Sequence, residues 1–88
     1  MSVDLQAEMA IGAQADSLLA SDAFTNAITH LRNQALEDIA SSDPADTESR
    51  EILYHGIKAI DKITEHLENL SKGGAIARKQ FEALNKRK

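Results

Sequence analysis

A seven-residue repeat in the second half of the chain limits its fold more than any other feature. From Leu53 to Leu84, small or apolar residues recur in alternating steps of three and four. An unbroken helix over this stretch is about 48 Å long. A rod of that length needs a partner helix, because most helical stability in proteins comes from packing of the apolar face. The repeat consists of Leu53, Gly56, Ile60, Ile63, Leu67, Leu70, Gly74, Ala77, Phe81 and Leu84.

Gly73 and Gly74 leave the continuity of this helix open. Two interior glycines cost a helix roughly 2 kcal/mol relative to alanine, and Gly73 suits a left-handed cap after Lys72. The repeat nevertheless keeps its phase across both residues. If the helix continues, the glycines permit close approach of a neighbouring backbone. The sequence therefore predicts a helix over about 47–85, either continuous or broken at 73–74.

The only clear cluster of helix-breaking residues lies at 41–47. Asp43 can cap a helix that starts at Pro44, whereas Asp46 or Thr47 is the alternative cap. In either case the connection is short, so the helices on its two sides are expected to lie antiparallel.

Two further helical segments precede this connection. Apolar residues at helical spacing predict a helix over about 22–40, with Ser21 or Asp22 as its N-cap. The segment over about 4–20 is helical and rich in small residues that allow tight packing. We expect one all-α domain over 1–88: an antiparallel helical hairpin with an N-terminal helical arm.

The second arm of the expected hairpin is longer than the first, which predicts an oligomeric bundle. Part of the apolar stripe then lacks an intrachain partner unless the N-terminal segment folds back, and an unpaired stripe favours self-association. The candidate oligomer interface comprises Leu53, Ile60, Ile63, Leu67, Leu70, Phe81 and Leu84.

Charge is distributed unevenly along the chain. Residues 1–51 carry a net charge of −8 and residues 52–88 a net charge of +4, within a total of −4. The basic end either complements the dipole of the last helix or contacts phosphate or an acidic partner. The candidate contact residues are Lys72, Arg78, Lys79, Lys86, Arg87 and Lys88.

Residues for catalysis or metal binding are not grouped in any characteristic pattern. The chain has no cysteine, and its three histidines lack the spacing of a zinc site. No nucleotide-binding glycine motif or nucleophile motif is present. We therefore expect no enzymatic activity, no metal and no cofactor. Arg50, Tyr54 and Lys58 are candidate ligand contacts in a pocket between subunits.

One pattern extends over most of the chain. It runs from Gly12, Ala15 and Leu18 through Asp43-Pro44 and Arg50-Glu51 to Tyr54, Leu67 and Gly73. In this pattern the chain resembles small uncharacterised helical-hairpin proteins of tailed bacteriophages. The resemblance implies a short helical phage protein and brings no assigned catalytic residues.

The expected function is that of a non-enzymatic virion component, scaffold or assembly adaptor acting through helix-mediated oligomerisation. Its expected partners are further copies of itself and a virion or host protein. A DNA-packaging ring protein similar to small terminase subunits, which would bind nucleic acid, is one alternative. An inhibitor or ligand-sequestering protein acting against host defence is another. The N-terminus predicts no signal peptide and no apolar run is long enough to span a membrane, so we expect the host cytoplasm or the virion.

Overall fold

The computed structural model describes residues 4–86, and every regular element in that range is an α-helix. The helices are α1 (Leu5–Ala20), α2 (Asp22–Ser41) and α3 (Thr47–Lys86). The predicted all-α class is confirmed. Helix α3 runs without a break through Gly73 and Gly74, so the continuous alternative is the one found. Its 40 residues give a length of about 60 Å.

A single residue, Ser21, separates α1 from α2. Its backbone is extended, with φ −76° and ψ 119°. Its N–H donates to the Leu18 carbonyl at 3.1 Å, and its hydroxyl accepts the Phe24 N–H at 3.3 Å. Ser21 therefore satisfies backbone groups at the end of one helix and at the start of the next. The two helices follow one another directly, with no loop between them.

The connection between α2 and α3 is held by two aspartates. The Asp43 carboxylate accepts the Ala45 N–H at 2.9 Å, which closes a turn inside the loop. The Asp46 carboxylate accepts the Ser49 N–H at 3.1 Å, and the Asp46 carbonyl accepts the Arg50 N–H. Asp46 is therefore the N-cap of α3, and Pro44 lies in the turn rather than at the first helical position.

Helices α1 and α2 both pack along α3, and the α1–α3 contact is the more extensive. Asp16 of α1 accepts a hydrogen bond from the Ser71 hydroxyl. Arg32 of α2 pairs with Asp61 at 3.0 Å. The contacts thus move towards the start of α3 as the chain proceeds from α1 to α2. The N-terminal segment covers the part of α3 that the shorter α2 does not reach.

The α1–α3 contact is closest at two glycines. A Cβ atom added to Gly12 would lie 2.7 Å from the Gly74 Cα, and one added to Gly74 would lie 2.8 Å from the Gly12 Cα. Ala15 and Ala77 are buried beside this crossing. The two helix backbones are therefore in direct contact, which only residues without a Cβ permit.

The molecule is a single layer of helices. Its extents are 67 × 29 × 13 Å, and a helix with side chains is about 10–12 Å across. Its radius of gyration is 18.9 Å, whereas a compact chain of this length has about 12 Å. Among residues 4–86, the buried apolar residues are Ala15, Ile57 and Ala77. Ile57, at 6% exposure, is therefore the only large side chain that is buried among these residues.

The neighbouring glycines of α3 provide a matched stability test. We expect Gly74→Ala to destabilise the fold by about 1–2 kcal/mol, because the new methyl overpacks against backbone that cannot rotate away. Gly73→Ala should stabilise it by about 0.5–1 kcal/mol, since a Cβ there meets nothing within 4 Å and alanine favours helix. Urea unfolding followed by circular dichroism measures both. Equal shifts for the two variants would contradict the close crossing.

The Asp46 cap predicts a pH dependence. Two hydrogen bonds lower the pKa of Asp46 below its ordinary value of 3.8. The larger effect comes from the Ser49 N–H and the smaller from the Ser49 side chain. A lowered pKa stabilises the fold above the unfolded-state value, and this stabilisation is lost as the pH falls through the folded-state value. Asp46→Ala should therefore destabilise the protein at neutral pH and have a smaller effect well below pH 3.8.

The control for this prediction is Asp46→Asn, which keeps an N-cap without a titrating group. At neutral pH, Asp46→Asn should lower the free energy of unfolding by less than Asp46→Ala does, both measured relative to the unmodified protein. Urea unfolding at several pH values measures both variants. An alanine penalty that does not vary with pH would show that the carboxylate charge does not contribute.

Candidate interaction surface

The predicted oligomer interface divides into two rows along α3. The first row comprises Leu53, Ile60, Leu67 and Phe81, which are half-buried where α1 and α2 pack. The second row comprises Ile63, Leu70 and Leu84. In this row Leu70 is half-buried, but Ile63 and Leu84 are 48% and 55% exposed. The first row therefore belongs to the intrachain packing, and most of the second row remains open.

The intrachain packing also uses a flank of the stripe that lies outside the predicted interface, and of this flank the sequence pattern indicates only Ile57. Ile57 is buried, and Thr64 and Ser71 are half-buried at the same seven-residue spacing. Ser71 donates to Asp16 of α1. Two of these three residues are polar, so a search for repeated apolar residues does not identify them. They nevertheless face the neighbouring helices and complete the contact with the first row.

The flank of α3 that contains Ile63 carries a strip without any acidic or basic side chain apart from one histidine. Ala77 of this strip is buried, and Leu70 and Gly73 are half-buried, whereas its other members are exposed. Its members follow each other in steps of three and four, so they lie along one side of the helix. We call it the uncharged strip. It comprises Ser49, Ile52, Gly56, Ala59, Ile63, His66, Leu70, Gly73, Ala77, Gln80 and Leu84.

A second strip along α3 has the opposite character. Its members also follow in steps of three and four, and all but Tyr54 and Ala75 are charged. We call it the charged strip. It comprises Tyr54, Lys58, Asp61, Glu65, Glu68, Lys72, Ala75, Lys79, Glu82 and Lys86.

Two surface depressions beside the glycine crossing show that the strips face opposite sides of the layer. One depression is lined by Glu8 and Ile11 of α1 with Leu70 and Gly73 of the uncharged strip. The other is lined by α1 residues with members of the charged strip, among them Lys79 and Glu82. Along α1 and α3, the layer therefore has one side with the uncharged strip, which we call the apolar face, and one side with the charged strip, which we call the charged face.

Helix α1 extends the apolar face beyond α3. Ile11 and Leu18 are seven residues apart, and each is 45% exposed. They lie on the same side of α1, and Ile11 borders the uncharged strip. The sequence pattern did not single out either residue for the interface, although their spacing was the available signal. Ile76 was also missed; it is 58% exposed and lies outside both strips.

The predicted basic contacts are only partly grouped. Arg78 and Lys79 line the depression on the charged face, together with Asp16, Ser71 and Glu82. Carboxylates thus stand beside both cations and reduce the positive potential there. Lys72 and Lys86 are exposed on α3. Arg87 and Lys88 lie outside the described residues.

The predicted ligand contacts lie near the α2–α3 connection. Arg50 and Tyr54 line an open depression with Ile39, Thr47 and Glu51. Lys58 does not line it, but its ammonium lies 5.5 Å from the centroid of the Tyr54 ring, a cation–π contact. The Tyr54 side chain is about half exposed. This group has a cation and an aromatic ring in reach of solvent but no enclosed cavity.

Within residues 4–86, no group of three or more metal-ligating side chains is placed to hold a metal ion. No helix in the same range combines the length and the apolar character needed to cross a membrane. Compared with protein-family models, curated proteins and solved structures, the chain matches none.

Proposed function

We propose that this chain is a non-enzymatic structural or assembly protein of the phage type, acting through helix-mediated self-association and contacts with other proteins. The observation that carries this proposal is the single layer, only 13 Å thick. Stable domains bury their apolar surfaces between at least two layers. A one-layer protein with an apolar face therefore needs a second layer from another molecule.

The amount of exposed surface supports the same conclusion. The accessible surface is 6814 Å², whereas a compact protein of this mass exposes about 5,100 Å². Large apolar side chains contribute to the excess along the full length of the molecule. They are Ile11, Leu18, Leu31, Leu36, Ile52, Tyr54, Ile63, Ile76 and Leu84.

The architecture that we propose is an antiparallel helical hairpin of α2 and α3, with α1 as an N-terminal arm, assembled into an oligomeric bundle. The Arg32–Asp61 pair links the two arms of the hairpin, and the Gly12–Gly74 crossing attaches the N-terminal arm. The oligomer interface draws on the exposed row with Ile63 and Leu84. Half-buried members of the predicted interface support the hairpin from inside.

Contact with protein is favoured over contact with nucleic acid. Arg78 and Lys79 share their depression with Asp16 and Glu82, whereas phosphate binding requires an excess of cations. The apolar face instead offers the kind of surface that protein partners cover. The partners that we propose are further copies of the chain and a virion or host protein, and the proposed location is a virion or the host cytoplasm.

The first experiment is the solution mass, measured by light scattering on a sizing column at low and high salt. We expect a multiple of the 9.6 kDa chain mass that persists at high salt, because salt screens charge contacts and leaves apolar contacts in place. A mass of one chain at every concentration and salt would reject self-association. An oligomer that dissociates at high salt would shift the interface to the charged face.

A further inference from the structure

We infer that a second copy of this chain covers the apolar face. The uncharged strips of the two copies then stack against each other and form a two-layer bundle, to which each chain contributes α3 and the α1–α2 pair. This inference rests on the proposed self-association and assigns the face that carries it. The contacts within one chain have already used the other flank of the α3 stripe. The exposed members of the uncharged strip, among them Ile63, together with Ile11 of α1, remain for a partner.

The absence of charge on this face favours an identical copy as the occupant. In a two-fold interface each residue patch meets the same patch of its mate. A patch rich in one sign of charge would then place like charges together, which is unfavourable. Apart from His66, the uncharged strip has no titratable side chain from Ser49 to Leu84 and therefore no such penalty. On α1, Glu8 lines the same depression as Ile11 and Leu70.

The dimensions of the face also suit a second copy. The layer has an outline of 67 by 29 Å, which leaves room on one face for the roughly 800 Å² that each partner buries in a standard specific interface. Stacking two layers about 10 Å apart gives the helix bundle that a single chain cannot form. The charged strips then lie on the two outer surfaces, where their side chains stay hydrated.

Two isoleucines on α3 provide a matched test of the stacked face. Ile63 is 48% exposed and lies on the uncharged strip, whereas Ile76 is 58% exposed and lies outside it. The chain contains no cysteine, so Ile63→Cys and Ile76→Cys each introduce a single thiol. In an isolated chain the two thiols should react with a maleimide at similar rates. In the stacked pair we expect the Ile63→Cys thiol to react on the order of tenfold more slowly, because the interface must open first.

Protein concentration separates the two levels of the proposal. On dilution below the dissociation range found by light scattering, the rate for Ile63→Cys should rise to that for Ile76→Cys. If the protein is an oligomer and both thiols react equally fast, the assigned face is wrong while self-association stands. If the unmodified protein is a single chain throughout, both proposals fail.

Charge substitutions provide a second readout. We expect Ile63→Glu, or Leu18→Glu on α1, to reduce the mass to one chain with helicity unchanged by circular dichroism. Ile76→Glu should keep the oligomer. An oligomer that survives both Ile63→Glu and Leu18→Glu would overturn the assigned face. Should either variant lose helicity, the thiol rates decide, since cysteine is apolar and small enough to preserve the helix.

Discussion

The backbone contact between Gly12 and Gly74 is the constraint on which the rest of the structure depends. With a Cβ predicted to lie under 3 Å from the opposite Cα at either site, a side chain at these positions would push α1 and α3 apart. The close approach brings α1 into the plane of the other helices and buries Ala15 and Ala77. Gly74, which weakens the long helix locally, thus provides with Gly12 the place where the C-terminal half of α3 is covered.

This arrangement has a consequence for the outer surfaces. Because α2 follows α1 directly after Ser21, the two helices form one discontinuous rod beside α3. A pair of rods can bury only the line between them, and small residues occupy much of that line. Among residues 4–86, Ile57 is the one large side chain that is buried, at 6% exposure. Other large apolar side chains remain on the faces, which the proposed second layer would cover.

Much of this fold follows from the sequence, and the part that does not has identifiable reasons. The helices follow from apolar spacing, and Ser21 from its capping preference. The sequence leaves the continuity of α3 open, because the close contact at Gly74 is made by Gly12, some sixty residues earlier in the chain, whereas a Cβ at Gly73 would meet nothing within 4 Å. The cap of α3 was also left open, since Asp43 and Asp46 both suit the role until their hydrogen bonds are known.

The division of the α3 stripe between intrachain and exposed surfaces was not predictable from hydrophobicity. From its apolar residues, the sequence favours burial of Ile63 and Leu84 over burial of Thr64 and Ser71. In the structure, however, Thr64 and Ser71 are half-buried, whereas Ile63 and Leu84 are exposed. Ser71 can turn inward because Asp16 accepts its hydrogen bond, so its polar group is not left unpaired. With Ser71 packed against α1, the apolar side chains of Ile63 and Leu84 stay at the surface. Packing polar residues within the chain and leaving apolar residues outside is favourable only if those apolar residues are buried between molecules, as the proposed stacking of two copies requires.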